Sequence, residues 1–191
     1  MFFVRANFWF AILAFCVGLI TLYALICFPD LARSVPINYI LLGVFTITES
    51  YLVSAVTTFY TPLSVAYASC LTAAIVIGLT IYAFKTTTDF TYMGGMLFVI
   101  LSGFLVASLL AMIFQSRMFD LILAYIGACL FGVYLIYDTQ LLIGGEGRAA
   151  SYSIDDYVLA SVNIYLDVIN LFLEILHIIG VRRDDVQVYV D

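Results

Sequence analysis

Six apolar stretches, each near the length of a membrane-spanning helix and separated by short polar breaks, constrain this chain more than any motif. They cover residues 8–28, 37–59, 65–84, 95–114, 121–143 and 157–180. As helices, each can cross ~30 Å of hydrocarbon. Only 10% of the residues are charged, against 65% apolar. A soluble domain carries roughly 25% charged residues, so this chain lacks the charge to cover a globule in water. The pattern predicts an all-α membrane protein, a bundle of six transmembrane helices in the lipid bilayer. The loops are too short to fold alone, so residues 1–191 read as a single transmembrane domain with a short polar tail at 181–191.

The punctuation agrees. Pro29 and Pro36 bracket the first loop, Pro62 sits in the second, and Lys85–Asp89 form a polar third. Arg117 marks the fourth, and Gly144-Gly145-Glu146-Gly147-Arg148 opens the fifth. That glycine run is a flexible loop and not a phosphate cradle, because no strand precedes it. The first apolar stretch is too long for a signal-peptide core and lacks a small-x-small cleavage site, so it reads as an anchor helix. An even number of crossings puts both termini on one side. Arg5, Arg117, Arg182 and Arg183 fall there, against Arg33, Lys85 and Arg148 opposite, which favours cytosolic termini.

Net charge is −6, but the basic residues are scattered, which excludes nucleic acid as a partner. Cys16, Cys27, Cys70 and Cys129 form no CxxC pair, and read as small apolar packing residues. Aromatics at span ends (Phe8, Trp9, Tyr39, Phe59, Tyr82, Phe84, Phe114, Tyr157) suit an interfacial belt. Gly94, Gly95, Gly103, Gly127, Ala128 and Gly132 predict close helix contacts.

Ionisable residues inside a bilayer are costly and mark function. Glu49, Asp138, Asp167 and Glu174 fall inside the spans, with no Lys or Arg at similar depth. At ~1.5 Å rise per residue, Glu49 lies about 18 Å deep, Asp167 about 15 Å and Asp138 roughly 8 Å, all measured from one side. Three helices therefore carry carboxyl groups toward one layer. In the last span Asn163, Asp167, Asn170, Glu174 and His177 share an arc of about 80°, a polar stripe that cannot comfortably face lipid. Such a stripe lines a hydrated path, or holds a bundle together by interhelical hydrogen bonds. Asp138 and Asp167 lie on consecutive helices. Placed together they share a proton and form a pH latch: a hydrogen-bonded clasp when protonated, and when ionised a pair that repels itself or takes up a cation. Calcium prefers hard oxygen ligands, so both aspartates are candidate transient calcium ligands on an ion path, with Glu49, Asn163, Asn170 and Glu174 as further lining. No tightly bound cofactor is expected. Ser153 or Asp155 reads as the N-cap of the last helix, and Asp155 also reads as an ion-entrance residue. His177, near a span end, reads as a capping or interface residue, with proton sensing as the alternative.

Two segments carry a resemblance. FGVYLIYDTQ at Phe131–Gln140 and DYVLASVNIYLDVINLF at Asp156–Phe172, with FTITE at Phe45–Glu49 and KTTTDF at Lys85–Phe90, are similar to the transmembrane Bax-inhibitor-motif family. Within it the likeness is to the Lifeguard and Golgi anti-apoptotic protein branch. The resemblance implies a seven-helix bundle with the last helix central, so this chain would start just before the family's second helix. It implies a pH-sensitive calcium leak channel, with calcium and protons as the moving ions. The setting would be the Golgi or endoplasmic reticulum membrane, or the plasma membrane. It implies inhibition of apoptosis, with apoptosis regulators or other calcium channels as partners. The family's paired aspartates fall on Asp138 and Asp167, an acidic conduction residue on Asp155, and an earlier acidic position on Glu49. Glu174 and His177 depart from the family's apolar pattern.

Two rival classes remain. A non-conducting adaptor would use the carboxyl groups only to hold the bundle and would restrain cell death through protein partners. An intramembrane aspartyl protease would use the two aspartates as acid and base. For the protease, Asp138 follows a tyrosine as required, but Asp167 follows Ile-Tyr-Leu, without Gly-x-Gly-Asp, and no Pro-Ala-Leu follows. The chain is therefore expected not to be an enzyme.

Overall fold

The computed structural model describes residues 8–145 and 148–183. Arg5, Glu146, Gly147 and most of the polar tail, named above, lie outside the described residues. Helices account for nearly all of the rest: α1 (Phe8–Cys27), α2 (Pro29–Arg33), α3 (Ile37–Thr57), α4 (Pro62–Lys85), α5 (Gly94–Phe114), α6 (Arg117–Ile143) and α7 (Tyr157–Ile179). Short 3-10 turns at Phe90–Met93 and Ile154–Asp156 lead into α5 and α7. All but α2 are long and apolar enough to cross a membrane, which gives six spans among the described residues. The chain is a multi-pass membrane protein.

Two boundaries differ from the sequence reading. Pro62 is the first residue of α4 rather than a loop residue. Its missing N–H costs nothing there, because the first-turn N–H groups have no intrahelical partner. Helix α6 starts at Arg117, not at residue 121. Ser116 is extended, and Asp120 in the first turn complements the positive end of the helix dipole, so a polar turn is helical where apolarity alone suggested loop. The first loop also holds a turn of helix, α2, with Pro29 at its start, Asp30 in its first turn and Arg33 in its last.

The structure separates into two compact units. Of the described residues, one unit comprises those up to Pro62 with Ser153–Val162 and 181–183; the other comprises those within Leu63–Tyr152 and Asn163–Gly180. In the first, α1 packs on α3 and buries Leu25 and Phe45. A Cβ on Gly18 would lie 3.3 Å from Glu49 Oε1 and from Thr48 Oγ1, so the absent side chain lets α3 approach. Arg33 Nε donates to Asp156 Oδ1 at 2.8 Å, and the fully buried Asn38 donates to the Tyr157 hydroxyl at 2.8 Å. The Thr61 N–H donates to the Val181 carbonyl, and the Arg183 N–H to that of Phe59.

In the second unit α5 packs on α6, and Phe104 meets Phe131 edge to face. Of the glycines expected at helix contacts, Gly94, Gly127 and Gly132 are tightly approached, by Tyr137, Glu174 and Leu79. Gly95 and Gly103 have nothing within 4 Å and make no such contact. The four cysteines are exposed rather than packed between the described helices. A thiol behaves as a small apolar group, which hydrocarbon accepts.

Candidate functional site

Helices α6 and α7 bring two carboxyl groups together in the second unit. Asp138, in the last turns of α6, and Asp167, midway along α7, are 5% and 6% exposed. Their carboxyl groups come within interaction reach of each other, and a hydrogen bond between two acids requires a proton between them. The Tyr134 ring lies within electrostatic reach of both aspartates, and that of Tyr137 within reach of Asp138.

Tyr152 completes the site. Asn163 Nδ2 donates to the Tyr152 hydroxyl oxygen at 2.7 Å, and that hydroxyl reaches Asp138 Oδ1 at 3.1 Å. An amide nitrogen only donates, so the phenol oxygen is the acceptor in the first bond and its hydrogen goes to Asp138 in the second. Burial, and then the Asp138 charge, push the Tyr152 phenol above its ordinary range, so it keeps its hydrogen at physiological pH. Tyr152 also anchors its main chain, donating its N–H to the Leu141 carbonyl at 3.0 Å. The sequence reading missed this residue. The available signal was an aromatic side chain within an otherwise small and polar loop.

The polar stripe of α7 serves several separate contacts. Asn163 binds Tyr152, and Asp167 meets Asp138. Asn170 turns back on its own helix, donating to the Leu166 carbonyl at 2.8 Å. Glu174 lies on the α6 backbone, where a Cβ on Gly127 would come within 2.8 Å of its Cδ. His177 is half-buried. Glu49 belongs to the first unit, half-buried beside Gly18. Ser153 is the N-cap of the 3-10 turn leading into α7, and its N–H donates to Asp156 Oδ2 at 3.1 Å. Asp155 is exposed, so Asp156 and not Asp155 closes the start of that turn. Gln140 is fully buried and fastens the loop before α5 to α6: it accepts the Phe90 N–H at 2.8 Å and donates to the Thr88 carbonyl at 3.0 Å. Among the described residues no three His, Cys, Asp or Glu side chains converge on a metal-sized centre. Asp138 and Asp167 form a pair and not a cage.

Residues 1–184 match the family described as inhibitor of apoptosis-promoting Bax1. The chain belongs to this family. Protein lifeguard 4 of Mus musculus is 40% identical over 141 residues, which is 74% of this chain and 57% of that protein. The Golgi anti-apoptotic protein of Vaccinia virus strain Lister is 39% identical over 148 residues, which is 78% of this chain and 60% of that protein. The chain thus spans less than two thirds of these relatives' length. In this Bax1-inhibitor family member, the segments Phe131–Gln140 and Asp156–Phe172 are those that supply Asp138, Asn163 and Asp167 to the site.

Proposed function

We propose that this chain forms a pH-sensitive calcium leak path in a Golgi or endoplasmic reticulum membrane and restrains apoptosis by lowering the calcium held in the store. The observation that carries this reading is the Asp138–Asp167 carboxyl pair, buried on two membrane-crossing helices and within interaction reach of each other. A proton shared between two acids closes the contact. Losing it leaves negative charge in a low-dielectric setting, which separates the helices or attracts a cation. Calcium, as the cargo, takes six to eight hard oxygens in a firm site. Two carboxyl groups with the oxygens of Tyr152 and Asn163 offer fewer, which suits a passing ion better than a stored one. The names of the two relatives, one Golgi and anti-apoptotic, agree with the membrane and the outcome proposed.

The test is calcium efflux from liposomes containing the purified chain, followed across pH. Efflux should vary with pH in the wild type. Asp167→Asn, which cannot ionise, should flatten that dependence. A pH profile unchanged by the substitution overturns the latch. Absence of efflux together with preserved protection of cells favours the adaptor reading.

A further inference from the structure

Outside the membrane-crossing helices, the second unit holds a set of hydrogen bonds that the leak reading leaves unused. Asp89, in the loop before α5, distributes its two oxygens differently. Oδ1 accepts the Thr91 N–H at 2.9 Å and the Thr91 hydroxyl at 2.6 Å, which caps the turn Phe90–Met93. Oδ2 reaches across to the loop after α6 and accepts the Ala149 N–H at 2.9 Å. The Thr91 hydroxyl oxygen accepts from Ala149 and Ala150 as well, at 3.1 and 3.3 Å. Arg148 Nη1 stands 4.0 Å from Asp89 Oδ1. Three residues beyond Ala149 is Tyr152, whose hydroxyl is on Asp138.

We infer that Asp89 and Thr91 are remote positioning residues, a cross-loop clasp that holds Arg148–Tyr152 in place and so keeps the Tyr152 hydroxyl on the carboxyl pair. The functional half of this inference rests on the leak reading; the structural half does not. The local cap and the reach across the loops use different oxygens, so they can be separated. In Asp89→Asn the amide oxygen can still cap Thr91. The amide NH2 then faces the Ala149 N–H, and two donors repel where a bond stood. Thr91→Val removes the hydroxyl that serves both loops, and Thr91→Ser restores it.

Two measurements on the full chain decide the matter: hydrogen exchange by mass spectrometry, and calcium efflux from liposomes. In Asp89→Asn, amides of 148–152 should exchange about tenfold faster, the scale expected when a charge-assisted hydrogen bond is lost. Amides of 90–93 should stay protected, and efflux should rise several-fold. Thr91→Val should speed exchange at 148–152 and raise efflux likewise, with some loss of protection at 90–93 as well, and Thr91→Ser should return both readouts to wild type. Unchanged exchange at 148–152 in Asp89→Asn overturns the clasp. Faster exchange with unaltered efflux, in a protein whose efflux does respond to Asp167→Asn, overturns its positioning role. If wild type shows no efflux at all, the leak reading falls, and the exchange result alone confirms or rejects the clasp.

Discussion

At the scale of single residues, the packing of α7 on α6 depends on an absence as much as on side chains. Gly127 has no side chain, and Glu174 occupies the space: a Cβ there would stand 2.8 Å from Glu174 Cδ and 2.9 Å from Phe104 Cζ. Gly127→Ala should therefore cost about 1–3 kcal/mol through overpacking, seen as a lower Tm in detergent. Gly103→Ala, with nothing within 4 Å, is the matched control and should leave Tm unchanged or slightly raised, since alanine favours the helix. Equal melting of the two variants would refute the close fit. Asp138, Asp167 and Glu174 were legible in the sequence because a carboxyl group inside an apolar run is conspicuous. Tyr152 was not, because a tyrosine beside a membrane has a ready explanation at the interface, and only its contact with Asp138 sets it apart. Gly127 was legible as a contact glycine but not as the seat of Glu174, since one glycine in a helix resembles another until its neighbour is known.

At the scale of elements, the loops are more ordered than their length suggests. The loop before α5 is pinned by Gln140 from one side and closed by Asp89 from the other. The Thr91 hydroxyl bond acts most strongly on the Asp89 carboxyl; burial, next in size, opposes it, and the backbone bonds of Thr91 and Ala149 with the Arg148 charge tip the balance, so the carboxyl lies below the ordinary aspartate range. A lowered value in the folded chain means that Asp89 contributes stability above the unfolded aspartate value, and that this is lost as pH falls through the folded one. The Tm difference between wild type and Asp89→Asn should thus be constant from neutral pH down to mild acid. It should shrink only below the ordinary aspartate value of 3.8. A difference already gone at pH ~6, well above the reference aspartate value, would count against an ionised clasp. Helix ends show the same limit of pattern reading. Apolar run length located each span found among the described residues, but Pro62 and the polar turn at Arg117–Asp120 read as loops, because their helical role comes from end chemistry and not from hydrophobicity.

At the scale of the whole molecule, crossing helices fix which loops share a side. Within the second unit, the loop before α5 and the loop after α6 meet at Asp89 and Ala149, and each is one helix away from Gln115. With the four native cysteines replaced by alanine, Thr87→Cys and Ser151→Cys should react with a membrane-impermeant maleimide from one side. Gln115→Cys should react only from the other. Labelling of all three from a single side would remove the six-span topology. The amino-acid sequence by itself determined the membrane class, the six spans and the acids worth watching. These follow from the length of apolar runs and the cost of charge in hydrocarbon, both readable along one dimension. Only the tertiary structure decided that Asp138 meets Asp167, that Tyr152 and Asn163 complete their site, and that Asp89 ties down the segment carrying that tyrosine. Each of those is a short-range contact between residues apart in the chain, and a contact effective only at a few ångströms, like a hydrogen bond near 3 Å, leaves no periodic trace in the order of the residues.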